Sequence, residues 1–144
     1  MHCFERAGLS REVFVSRTYY LREQARSTPV TGSRQSQQAQ KDAYLLAAEA
    51  FLQCATAGVK AKEKEVYYRN AGECFEHAAE DYRAAKAYME AREFTVAAKL
   101  FRKCAKFDDA VDVVKTFRQN IKDEVAENII DVARLFYFKG GELQ

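Results

Sequence analysis

Four cations in this chain fall at a spacing that could hold a ligand. Lys99, Arg102, Lys103 and Lys106 stand at i, i+3, i+4 and i+7, which gathers four positive charges on one helix face. An acidic peptide or a phosphate backbone would suit such a face. Ala97, Phe101 and Cys104 lie opposite, so the same spacing also describes the solvated side of an amphipathic helix, the blander of the two readings. Tyr67, Tyr68, Tyr82 and Tyr88 could stack on a ligand, but aromatics at helical spacing serve first as core. His77 beside Glu76 and Glu80 has the residue types of acid-base chemistry. No nucleophile, oxyanion site or pocket signature accompanies it, and a surface histidine is the simpler reading. No catalytic residue is expected, and the chain is read as no enzyme.

Cys3, Cys54, Cys74 and Cys104 never form a C-x-x-C pair, and only His2 and His77 could join them around a metal. Neither a metal nor any other cofactor is expected. Each cysteine lies just before or shortly after an aromatic of a repeated pattern, in slots that elsewhere hold Ala or Leu, and reads as a small buried hydrophobe.

The elements that must position these residues are helical. With 48% hydrophobic and 31% charged residues, 6 Gly and 1 Pro, little in the chain breaks a helix. A formal charge of +2 lacks the basic excess of a general nucleic-acid binder. No apolar run reaches the ~20 residues needed to cross a bilayer, and the first residues lack the apolar core of a signal peptide. An intracellular setting, cytoplasm or nucleus, is expected, without membrane insertion.

One spacing of small and aromatic residues occurs twice in succession. Gly72, Phe75, Ala84, Tyr88 and Ala91 are followed by Ala98, Phe101, Ala110, Val114 and Phe117, with equal steps. The first two positions of each copy lie one turn apart on one helix, and the next step crosses a turn into a second helix. Turns are expected at Glu80-Asp81 and Phe107-Asp108-Asp109, with Asp81 and Asp108 or Asp109 as N-caps of helices Tyr82 to Ala91 and Ala110 to about Arg118. Phe94 to Lys106 runs between them.

Elsewhere, Cys3 to Gly8 reads as the end of a helix, and Ser10 as the cap of one running to about Arg26. Residues 27–41 hold the only proline, a glycine, three serines and four glutamines, and read as a flexible inserted loop. Asp42 would cap a helix from Ala43 to about Ala57, ended by Gly58. Lys60 onward forms one long helix of about five turns into Gly72 and Phe75, and the last helix spans about Asp123 to Phe138. Residues 1–144 are read as a single helical-repeat domain, broken off at both ends within a longer chain.

The two copies resemble the tetratricopeptide repeat, in which a Gly or Ala, an aromatic, an Ala, an aromatic and an Ala define a helix-turn-helix. The copies lie 26 residues apart, Gly72 to Ala98, and neither a Trp nor a closing Pro accompanies them. The run from Tyr67 to Val111 is also similar to the helical repeat region of very large fungal proteins with a UvrD-like helicase module, relatives of the tetratricopeptide and ankyrin repeat-containing protein. A weaker likeness is to the soluble attachment proteins of vesicle fusion. The resemblance implies an all-α fold of antiparallel helical hairpins stacked as a superhelix, and a scaffold for protein-protein or intramolecular contacts. A peptide or protein partner, or other domains of a parent chain, would be bound. The alternative it implies is an accessory segment that contacts nucleic acid beside a helicase motor, or an attachment-protein-like adaptor.

Overall fold

The computed structural model describes residues 10–57 and 60–140. Those residues hold seven α-helices and one short 3-10 turn, without a strand. The expectations placed on Cys3 to Gly8 and on Gly58 lie outside them.

Helix α1, Arg11–Ser27, starts where the Ser10 hydroxyl accepts from the Val13 N–H at 3.2 Å. It ends before Pro29, which pushes Thr28 into extended backbone at ψ 122°. Helix α2, Arg34–Ala55, corrects two expectations. The loop is confined to 28–33, because the Ser33 hydroxyl accepts from the Ser36 N–H at 3.1 Å and caps the helix nine residues before Asp42. Gln35, Gln37, Gln38, Gln40 and Lys41 are polar but good helix formers, as is Ala39 among them, so their composition suits a solvated helix as well as a loop. The Gln40 side chain also donates to the Ala25 carbonyl at 3.3 Å and ties this segment to α1. Asp42 accepts from Gln38 at 2.8 Å in mid-helix and caps nothing.

Helix α3, Ala61–His77, is the expected long one. Three helices of ten residues follow: α4, Asp81–Glu90; α5, Phe94–Lys103; and α6, Phe107–Thr116. After a 3-10 turn, Arg118–Asn120, α7 spans Asp123–Phe138, the limits read from sequence. Each helix packs on the next, and α5 also meets α7.

The joints between α3, α4, α5 and α6 share one backbone design. Ala79, Arg92 and Ala105 take left-handed φ of 61°, 61° and 60°. At each, the following N–H reaches back to the carbonyl five residues up the chain: Glu80 to Phe75 at 2.8 Å, Glu93 to Tyr88 at 2.9 Å, and Lys106 to Phe101 at 2.8 Å. The carbonyls of the same three residues accept the first bond of the next helix, from Ala84, Ala97 and Ala110. One residue thus closes one helix and opens another. Asp81, Asp108 and Asp109 are therefore not N-caps. They stand inside the first turn of their helices, where a carboxylate suits the positive end of the helix dipole.

This design makes the real unit one helix plus one turn. Ala71, Ala84, Ala97 and Ala110 recur every 13 residues, and each is 0% exposed. Phe75, Tyr88, Phe101 and Val114 recur in the same step and are all buried. An alanine on every helix lets neighbouring backbones approach, and the large residue one turn later fills the space beside it. Ala48, Phe51, Ile121, Val125, Ala126 and Ile129 extend this core to either side.

Candidate functional site

The basic residues do not form the free face their spacing suggested. Lys99, Arg102 and Lys103 lie on α5, and Lys99 is exposed. Lys103 pairs with Asp81 at 3.2 Å and Arg102 donates to Asn128 on α7. Lys106 is off the helix altogether. The left-handed turn at Ala105 redirects the chain, so its ammonium sits 5.4 Å from the ring centre of Tyr82. Three of the four cations thus have a partner on another part of the fold.

The tyrosines divide in the same way. Tyr88 is 5% exposed and its hydroxyl donates to Glu76 at 2.6 Å; burial first, and then that carboxylate, push its pKa up. Tyr67 is half-buried, with Arg11 and Tyr19 close enough to act on its hydroxyl. Tyr68 and Tyr82 line one cavity together. His77 stacks on the Tyr44 ring at 4.5 Å and is not bonded to Glu76 or Glu80.

The cysteines of the described region are core residues or nearly so. Cys54 and Cys74 are 2% and 1% exposed, and Cys104 is intermediate. Burial raises the thiol pKa of Cys54 and lifts that of Cys74 to about 11. Among the described residues, no group of three His, Cys, Asp or Glu side chains could hold a metal ion. No described helix is long and apolar enough to cross a membrane.

Nine of the ten residues of the two copies are buried, and the tenth is half-buried. Gly72, Phe75, Ala84, Tyr88, Ala91, Ala98, Phe101, Ala110 and Val114 are buried, and Phe117 stacks on Phe94 with 3.8 Å between ring centres. A Cβ on Gly72 would meet the Tyr88 ring at 2.9 Å, so the first copy needs its glycine for close contact with that ring.

Two adjoining grooves flank α4, and spacing alone did not point to them. One, of about 330 Å³, is lined by Leu52, Tyr68, Phe75, Tyr82, Arg83, Lys86, Ala87 and Glu90. The other, of about 280 Å³, has Met89, Phe101, Val113 and Phe117 as its apolar part and Glu90, Asp109 and Asp112 among its polar residues, with Lys86 and Thr116. Lys86 and Glu90 belong to both. Lys86 is also held 5.0 Å from the Tyr82 ring centre. A separate apolar patch on α7, Leu135, Tyr137 and Phe138, is exposed, with Phe138 at 88%.

These observations define an all-helical protein of consecutively packed helices with grooves on either side of α4. No family model, curated protein or solved structure matches the chain.

Proposed function

We propose that this chain is a non-enzymatic helical-repeat scaffold, tetratricopeptide-like in the pairing of its helices, that binds another protein or another part of its own parent chain. The observation that carries this reading is the pair of adjoining grooves beside α4, where apolar side chains stay reachable next to charged ones. The repeat itself is taken up by packing: its small and aromatic residues sit in the core. Recognition therefore falls to the residues between them.

A photo-crosslinking amino acid at Thr116, in the smaller groove, is the direct test, with one at the exposed Glu127 on α7 as control. Proteins captured only from Thr116 are then re-expressed and titrated calorimetrically against the parent chain and Thr116→Trp, which plugs the groove. Loss of binding in the plugged variant is the expected result, and equal binding refutes the grooves as the recognition surface. Salt-dependent binding of single-stranded DNA or RNA, lost in Arg102→Glu, would instead support the accessory role beside a helicase motor.

A further inference from the structure

We infer that the smaller groove beside α4 takes a basic segment of another protein, one that inserts a single large apolar side chain and sets lysine or arginine on either side of it. The inference rests on the scaffold reading and names its partner's chemistry. The groove measures about 280 Å³, just under the roughly 300 to 1,000 Å³ usual for small-molecule sites. That suits one anchoring side chain, with Met89, Val113 and Phe117 as its apolar walls.

Charge decides what flanks the anchor. Glu90, Asp109 and Asp112 reach the groove from two helices, and among the described residues none of their side chains has an ion-pair or hydrogen-bond partner. Lys86, the one cation of the lining, is drawn to the Tyr82 ring. Elsewhere on the surface Glu49, Glu63, Asp81, Glu93 and Asp123 each have an arginine or lysine partner. Glu90, Asp109 and Asp112 thus bring three carboxylates without a salt bridge to the rim of one apolar cavity.

Two of these carboxylates also stand where the fold alone would not favour them. Glu90 is the last residue of α4, at the negative end of the helix dipole, with no basic residue in that final turn. Asp112 follows Asp108 and Asp109 at i+4 and i+3 on α6, so like charges face each other one turn apart. A cationic partner offsets both repulsions. The free chain bears them as a locally unfavourable arrangement, a common property of recognition sites.

The test is an array of short peptides, each with one central Leu, Ile, Met or Phe and with flanks of Lys/Arg, Glu/Asp or Ser/Gly. The chain should retain the Lys/Arg-flanked members, more weakly as salt rises, and amide shifts in solution should centre on Met89 and Val113. Glu90→Gln with Asp112→Asn should weaken the best of them by roughly tenfold. The same double variant should melt no lower than the parent, and a shared loss of fold and binding would overturn the argument from unfavourable placement. Thr116→Trp should abolish binding with every carboxylate in place. Retention of acidic or neutral flanks in this groove overturns the basic partner and leaves the scaffold reading standing. If the array retains nothing, the inference fails, and the crosslinking experiment decides the scaffold reading separately.

Discussion

Gly72→Ala separates helix propensity from packing, because the two act in opposite directions there. In an unconstrained helix, replacing glycine by alanine stabilises by about 1 kcal/mol. At position 72 the new methyl would lie 2.9 Å from Tyr88 Cε2 and 3.0 Å from Cδ2, closer than a carbon contact allows. The ring has little freedom to yield. Its hydroxyl is bonded to Glu76, its backbone carbonyl accepts from Glu93, and the residue is 5% exposed. Overpacking of this kind costs about 1 to 3 kcal/mol, so the net expectation is a loss of about 1 kcal/mol despite the better helix former. The second copy suggests the rescue, since the residues corresponding to Gly72 and Tyr88 are Ala98 and Val114, a larger residue matched to a smaller one. Gly72→Ala with Tyr88→Val should be less destabilised than the two single changes add up to, with a coupling of about 1 kcal/mol. Urea midpoints of the four chains measure it. A Gly72→Ala variant more stable than the parent, or a coupling near zero, would show that the ring moves freely and that the tight contact does not set the glycine.

Other expectations concern the same core and its joints. Ala84→Leu and Ala110→Leu, both at fully buried positions, should each lower stability by about 1 to 3 kcal/mol in urea, and two unaffected variants would refute close backbone approach there. Ala79→Gly and Ala105→Gly relieve a left-handed residue and should raise stability by about 0.5 kcal/mol each, whereas Ala79→Val should lower it; melting temperatures in the opposite order would refute the turn assignment. The Cys74 thiol keeps its proton to about 11 in the folded chain against an ordinary 9.0. Unfolded chains release that proton first, so its contribution is full below about pH 9 and is lost towards pH 11, by about 2 to 3 kcal/mol. Cys74→Ala should flatten that alkaline loss in urea titrations, and an unchanged slope would show that the thiol is not held neutral by burial.

The helices were legible from sequence where a cap or a breaker marks their ends. Ser10, Pro29 and the pattern Val125, Ile129, Val132, Phe136 fix α1 and α7 closely. The short helices were placed but shifted, because glycine is the usual signal for a left-handed turn and none occurs at 79, 92 or 105. With alanine or arginine there, the aspartates that follow read as caps, and that reading puts the turns too late in the chain. The same substitution hid the period. Comparing residues 26 apart finds alternate helices alike, while the identical turns between all of them make the step 13, which the alanines at 71, 84, 97 and 110 carry openly.

Charge patterning failed for a reason that also supports the acidic groove. The four-cation face assumed one uninterrupted helix through Lys106, and the turn at Ala105 removes its last member. Lys103 and Arg102 then find partners on α4 and α7, because packed short helices bring side chains of different elements within ion-pair reach. Spacing along one helix cannot register such pairing. It is settled only once the stack exists. Glu90 and Asp112 escape it: their groove offers one lysine, and that lysine is engaged by an aromatic ring. Opposite charge supplied from outside is then what the groove lacks, and a ligand that brings it gains more there than on a surface whose charges are already matched.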